Sequence, residues 1–434
     1  MLRGCLRDPD PREHRNLHQV QGESESQSTK PARVFTGPVR LYLLARFSGS
    51  AAFQIQGVAV GWYIYQITNS PLQLGLVGLA MFLPTMSLAL VAGQVIDRFQ
   101  RRRVLLVSWS VQACASASIG LLALFGASNV FWVYALIACI GAGRSFEQPA
   151  QAALLPSLVP VALFPRVTPA GSLANQFAVI IGPALGGLLF IFGAPVAFFG
   201  AVTMLAIGLT AVFLLPSQPP RPAQPLSWKS FLGGVHFIRE AEAVRGAITL
   251  DMFGVFFGGA TALLPIFARD ILEIGPVGLG LLRSTPALGA LITGLYLARH
   301  PLEHKVGHKM FAAVAVFGAA TVLFGLSHWI WLTVVALIAI GAADVVSVVV
   351  RSTLVQTATP DDIRGRVSAV NSLFVGTSNQ LGEFESGVTA DWFGAVGSVV
   401  IGGSATLIVA AVGLWMFPAL RRMDRFIMAG EKQH

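Results

Sequence analysis

Stretches of about twenty mostly apolar residues, separated by short polar breaks, recur from Val39 to Phe417. A bilayer hydrocarbon core about 30 Å thick needs about 20 apolar residues per helical crossing, so each stretch is long enough to span one. The runs are continuously apolar rather than alternating, which selects helices over a β-barrel. Twelve spans are expected, over residues 39–65, 70–96, 103–125, 130–153, 168–192, 196–215, 247–271, 277–299, 309–326, 329–350, 368–392 and 398–417. Only 12% of the residues are charged, about half the share found in soluble domains. The expected fold class is therefore an all-α membrane protein.

The net charge of +9 on a soluble chain would point to nucleic acid, but here its location carries the information. Lys and Arg collect before span 1 (Lys30, Arg33, Arg40), between spans 2 and 3 (Arg98, Arg101, Arg102, Arg103) and between spans 6 and 7 (Arg221, Lys229, Arg239, Arg245). They recur between spans 8 and 9 (Arg299, Lys305, Lys309), between 10 and 11 (Arg351, Arg364, Arg366) and in the tail (Arg421, Arg422, Arg425, Lys432). The opposite loops, around Asn69, Asn129, Ala194, Ser327 and Gly394, carry none, and Arg269 alone breaks the pattern. By the positive-inside rule both termini are cytoplasmic and the number of spans is even. The expected location is a bacterial inner membrane, with no nucleic-acid partner. Residues 1–36 have no apolar signal region and are expected to form a disordered cytoplasmic tail. Cys5 falls in that tail, whereas Cys114 and Cys139 fall in spans, where a small buried thiol is expected and no disulfide.

A shift of about 200 residues aligns the two halves of the chain. Ile140-Gly141-Ala142-Gly143-Arg144 corresponds to Ile340-Gly341-Ala342-Ala343-Asp344, and Leu154–Pro160 to Leu354–Pro360. Arg166-Val167 matches Arg366-Val367, and Asn175-Gln176 matches Asn379-Gln380 after a small insertion. Such duplication is common in transporters that rock around a midplane site. The join contains Pro216, Pro219, Pro220 and Pro222, which exclude a helix, followed by an amphipathic segment near Trp228–Arg239. The expected organisation is a cytoplasmic tail (1–36), a six-helix bundle (37–215), a cytoplasmic linker (216–245), a second six-helix bundle (246–418) and a cytoplasmic tail (419–434).

The loop after span 2 reads Gly93-Gln94-Val95-Ile96-Asp97-Arg98-Phe99-Gln100-Arg101-Arg102, which resembles the major facilitator pattern G-x-x-x-D-R-x-x-R-R. The arginines alone can set topology; the aspartate at its fixed spacing is what the resemblance assigns to a gate, against the cytoplasmic end of span 11 near Arg366. The matching place in the second half, Gly294-Leu295-Tyr296-Leu297-Ala298-Arg299, has Ala298 for the aspartate. Gly182-Pro183-Ala184-Leu185-Gly186-Gly187 in span 5 is similar to the core of the antiporter motif of exporters, with Ala178 where a glycine is usual; close packing against span 8 is the alternative use. Together with Pro149–Pro160 and Asp361–Val367, these stretches resemble the enterobactin-exporter-like (transmembrane secretion effector) subfamily of the major facilitator superfamily from about residue 38 to 420. The resemblance implies a major facilitator fold of twelve helices in two pseudo-symmetric bundles. It also implies alternating access.

Ionisable groups near mid-bilayer cost about 2.5–3.5 kcal/mol on insertion scales, so each calls for a partner, a cavity or a role. Arg144 and Glu147 share a face of span 4, and Asp344 holds the matching place on span 10. Since spans 1, 4, 7 and 10 line the cavity in the superfamily, the resemblance would turn Arg144 and Asp344 toward each other. Glu147 or Asp344 is expected to exchange a proton with Arg144 as counter-charge; a permanent ion pair is the other reading. In the outer half, Arg283 is expected to pair with Glu383 or Glu385, which point about 160° apart on one helix, the other facing the cavity. Arg46, Gln54, Gln56, Asn175, Gln176, Asn371 and Asn379 are candidate substrate contacts or interhelical bonds. His300, His304 and His308 lie in a loop with Pro301 and are not expected to hold metal.

No HExxH, GxSxG, Walker or CxxC pattern occurs, so neither an enzyme nor an ATP-driven pump is expected, and no cofactor. The expected function is gradient-driven export of a small amphipathic molecule, siderophore-like or drug-like, by antiport with protons, acting as a monomer among membrane lipids. A lipid translocator on the same fold is the alternative. A membrane-embedded enzyme is the remote one.

Overall fold

The computed structural model describes residues 36–126, 129–160, 163–216 and 228–426. The expected N-terminal tail through residue 35, the proline-rich join over 217–227 and the last eight residues lie outside them. So does the side chain of Asp97, and with it the expected gate contact.

The first half folds as α1 (Gly37–Thr68), α2 (Pro71–Arg98), α3 (Arg101–Leu124), α4 (Val130–Leu158), α5 (Phe164–Phe190) and α6 (Ala194–Phe213). Local chemistry sets these ends. Asn69 closes α1 in a left-handed conformation (φ 50°), and Ser70 then caps α2 by accepting from the Gln73 amide, with Pro71 at the first helical position. Asn129 caps α4 in the same way, accepting from the Phe131 amide at 3.0 Å. The linker helix α7 (Trp228–Glu240) leads into α8 (Glu242–Phe257).

The single span expected over 247–271 is broken. After α8 the chain tightens into a 3-10 turn (Gly259–Leu263), makes one α turn (Leu264–Ile266) and widens into a π turn (Phe267–Ile271). Gly258 and Gly259 weaken the helix here and Pro265 supplies no amide hydrogen. Gly259 also lets the chain lie directly on the Gly382 carbonyl. The remaining helices are α9 (Gly275–Arg299), α10 (Val306–Gly325), α11 (Ile330–Thr357), α12 (Arg364–Met416) and α13 (Pro418–Arg422). α12 is two helices in tandem: Gly394, at φ 76° and ψ 163°, turns the chain between them as no other residue type would do cheaply. Ten helical segments are long and apolar enough to cross a membrane among the described residues. α12 enters that count once, and α1, 32 residues long but carrying Arg46, Gln54 and Gln56, does not enter it.

Packing groups α1 with α5 and α6, α3 with α4 and α6, and α2 with α4, while α8 and α10 pack on α12, and α9 and α10 on α11. α2 with α12 and α5 with α9 are the main contacts between the two groups. One apolar cluster runs through both groups at the end away from the arginine-rich loops, joining Val58, Tyr63, Ile119 and Phe198 to Leu263, Phe267, Leu282 and Phe324. Toward the arginine-rich end the cores separate. Leu105, Trp109, Leu154 and Val212 belong to the first group alone, and Leu250, Met310, Phe311 and Leu354 to the second.

Cys114 and Cys139 are exposed on the helical surface, contrary to the buried thiols expected, because they face outward from α3 and α4 into a shared apolar groove. At the arginine-rich end the chain after α13 clasps the start of α10. Asp424 accepts from His304 at 3.1 Å and from the Lys305 amide at 3.0 Å, while its own carbonyl takes the Val306 amide. The His304 bond, the amide bond and nearby positive charge hold the Asp424 carboxyl below the usual carboxylate range. A lowered value means that the clasp is fully made above the ordinary carboxylate pKa of about 3.9 and is lost as pH falls through the lower, folded one. At neutral pH, Asp424→Asn should therefore speed hydrogen exchange at Lys305 and Val306, with no change at amides within α11; equal exchange at all these amides would refute the clasp.

Candidate functional site

Two buried polar clusters occupy equivalent depths in the two halves. The first is built on α4, where Arg144, Glu147 and Gln151 fall on one face at intervals of three and four residues. Glu147 is 2% exposed and fully bonded: Arg144 meets it at 3.2 Å, Gln151 donates at 3.0 Å, and Gln112 of α3 donates at 2.9 Å to the other oxygen. Gln151 in turn accepts from Arg46 of α1 at 3.4 Å, and the Arg46 Nε donates to the Gly171 carbonyl of α5 at 3.0 Å. Arg144 also lies over the Phe53 ring, 3.7 Å from its centroid. One guanidinium thus holds the carboxylate directly and a second is linked to it through Gln151, and one cationic face stays on an aromatic ring, suited to hold an anionic or aromatic group.

The second cluster replaces an expectation. Arg144 and Asp344 do not form the pair read from the sequence: Arg144 pairs with Glu147 of its own helix, and Asp344 lies in a different cluster. Asp344 lines a small cavity with Asp251 of α8 and Ser347 of its own helix. Arg351, expected in a basic loop, lies inside α11 only 5% exposed and pairs with Asp251 at 2.8 Å. Ser347 donates to the other Asp251 oxygen at 2.6 Å. α11 extends to Thr357, a full seven residues beyond the expected edge, and so draws Arg351 into the protein. Neither Asp251 nor the burial of Arg351 was anticipated. The usable signal was the spacing of Asp344, Ser347 and Arg351, which places all three on one helical face.

Nearer the opposite end, Arg283 of α9 donates to the Gly57 carbonyl of α1 at 3.0 Å, and Glu383 is the carboxylate whose charge acts on it. No ion pair or hydrogen bond joins Arg283 to either glutamate among the described residues. Glu385 is occupied within its own helix, accepting from Thr389 at 2.8 Å. Here Tyr65 of α1 donates to Asp270, and Arg269 reaches the Tyr65 carbonyl at 3.3 Å, so the lone arginine of the opposite loops ties the two halves together.

Most of the candidate substrate contacts serve as bonds between helices. Gln56 donates to Ser116 at 2.6 Å, Asn175 accepts from Ser50 at 2.7 Å, and Gln176 crosses between halves to the Ala287 carbonyl at 2.9 Å. Asn379 bonds Val375 of its own helix at 2.9 Å. The Gln54 stem packs on Gly182, and the buried Asn371 oxygen has no hydrogen bond. At the start of α3, Arg102 donates to the Phe213 carbonyl and stacks on that ring, fastening α3 to the end of α6, and Arg98, the last residue of α2, is exposed. No cluster of three metal-ligating side chains is present among the described residues.

The helix-5 motif divides by direction. Gly182 and Gly186 fit against Ala51, Gln54, Ile55 and Val58 of α1, whereas Gly187 meets Pro276 and Gly280 of α9, and Gly280 meets the Pro183 carbonyl in return.

With this geometry in hand, the chain can be set beside known proteins. It matches the transmembrane secretion effector family over residues 35–432. Enterobactin exporter EntS of Escherichia coli O1:K1 / APEC is 29% identical over 392 residues, covering 88% of this chain and 92% of that protein. Among solved structures, nucleoside transporter NupG aligns with a TM-score of 0.66 at 15% identity, covering 90% of this chain and 100% of that one. A bacterial homologue of the iron transporter ferroportin in its inward-facing state aligns at 0.69 with 14% identity, covering 91% and 100%. These two likenesses carry the fold alone. By the match across nearly its whole length, the chain belongs to the transmembrane secretion effector family of major facilitator transporters.

Proposed function

We propose that this protein exports a small amphipathic molecule, siderophore-like in its aromatic and acidic character, in exchange for protons by alternating access. In this reading twelve helices cross the inner membrane with both termini in the cytoplasm, α12 supplying the last two. Residues 37–215 and 246–418 form the bundles that rock, joined by the linker over 216–245.

The observation that carries the reading is the distribution of apolar packing: one core joins both halves at the end away from the arginine-rich loops, and separate cores lie at the other end. If the arginine-rich end is cytoplasmic, this is the arrangement of a carrier closed outside and open inside. Arg144 stacked on Phe53, beside Arg46, then supplies a cationic, aromatic surface for cargo. The cargo class is supported by the named relative, an enterobactin exporter.

The test uses proteoliposomes loaded with a pH-sensitive dye and given enterobactin. Uptake accompanied by a rise in lumenal pH, as protons leave, is the expected result. Uptake with no pH change overturns antiport; flipping of a labelled phospholipid without enterobactin flux overturns the cargo and favours a lipid translocator.

A further inference from the structure

We propose that Asp251 and Asp344, sharing the single guanidinium of Arg351, form the site that binds and releases the exchanged proton. The inference rests on the antiport reading and names the residues responsible for it.

Charge bookkeeping separates the two halves. The internal duplication maps Arg144, Glu147 and Gln151 onto Asp344, Ser347 and Arg351 at a shift of 200 residues. The same three positions of the same helical face therefore carry polar groups in both halves. Their signs differ. Around α4, one carboxylate is met directly by Arg144, Gln112 and Gln151, and Arg46 is linked to it through Gln151, so cations outnumber anions there. Around α11, two carboxylates face one arginine. With both ionised the second cluster carries one uncompensated negative charge inside the protein; one bound proton neutralises it.

The hydrogen bonds say where that proton goes. Asp251 is already satisfied as an anion, by Arg351 at 2.8 Å and Ser347 at 2.6 Å. Asp344 receives no hydrogen bond among the described residues, yet Asp251 and Arg351 are the two charges that act on it. The Arg351 Nε is buried without an acceptor, so the guanidinium retains a donor with which to answer Asp344 once its proton has left. Asp251, Asp344 and Ser347 line one small cavity of about 10 Å³, which brings the two carboxyl-bearing residues to the same place in the second half. Among the described residues nothing else titratable lines this place: α10 contributes Ala313, Val314 and Phe317, α12 brings Thr406 to Gly254, and α9 meets the adjacent stretch of α11 through Pro286 and Gly289. The two carboxyls therefore titrate as one unit that holds one proton or none.

Infrared difference spectroscopy of the purified protein during a pH titration tests this with the proton itself as probe. Wild-type protein should show a protonated-carboxyl C=O band that persists well above the ordinary carboxylate range of about 4. That band should vanish in Asp344→Asn, which leaves the Asp251–Arg351 pair intact and so preserves folding, and it should remain in Glu147→Gln and Glu383→Gln. A wild-type protein without the band, or a band that survives both Asp344→Asn and Asp251→Asn, overturns the proposal. The measurement needs no cargo, so its failure is distinct from failure of the antiport reading, which shows as enterobactin uptake without a pH change.

Discussion

Gly187→Val should abolish transport while leaving a folded, monodisperse protein. A β-carbon at this position runs into the Pro276 carbonyl and lies 3.2 Å from the Gly280 α-carbon, both in the other half of the molecule. Overpacking of such a contact costs about 1–3 kcal/mol. In a carrier that cost falls on one conformation only, the one in which α5 and α9 touch, so the population of the closed state should drop by roughly 5–150-fold. Gly186 provides the contrast. Its β-carbon would press on Ile55 and Val58 of α1, inside the same half, at 3.1 Å. Gly186→Val is therefore expected to lower the melting temperature without favouring either state. A cysteine at Gln54, after replacement of the exposed Cys114 and Cys139 by serine, reports the difference: an impermeant maleimide added from the end opposite the arginine-rich loops should label it in Gly187→Val and not in the parent. Equal labelling in parent, Gly186→Val and Gly187→Val would falsify the division of the motif into a packing face and a closing face.

That division shows what a sequence discloses and what it withholds. The glycines of the motif are visible as a pattern, but α1 and α9 pack on different faces of α5, and only the folded chain reveals which glycine faces which. Helix positions were legible because apolar length is a local property, and the largest departure, the broken stretch after α8, arises where Gly258, Gly259 and Pro265 weaken a helix that α12 then supports. The buried charges were harder. Positive-inside reasoning assigns Arg351 to a loop because arginine at the edge of an apolar run usually snorkels to the interface. Its pairing with Asp251, 100 residues earlier in the chain, is tertiary information. Asp251 stands alone in the run from Ile248 to Val255 and has no neighbour in sequence to announce a partner. By contrast, the Arg144 and Glu147 pair was readable, because both partners lie on one helix three residues apart.

The Asp251–Arg351 pair should dominate the stability of the second half. Both side chains are nearly inaccessible, at 3% and 5% exposure. Removing one partner of such a pair strands the other as a buried charge, at a cost of about 3–5 kcal/mol. Arg351→Gln is the worst case, because it leaves Asp251 and Asp344 facing each other with no cation. The double variant Asp251→Asn, Arg351→Gln carries only Asp344 and should recover most of the loss, since a pair removed whole is close to neutral in many proteins. Asp344→Asn removes a like charge and breaks no contact, so it should melt at or above the wild-type temperature. The expected order of melting temperature in detergent at neutral pH is Asp344→Asn, wild type, the double variant, then Arg351→Gln. Acid should narrow the Arg351→Gln deficit, because a protonated carboxyl needs no counter-charge. A structural bolt and a proton site part company here: a bolt predicts that Asp344→Asn is silent in every assay, whereas a shared proton predicts that this stable variant still binds cargo but no longer exchanges it for protons.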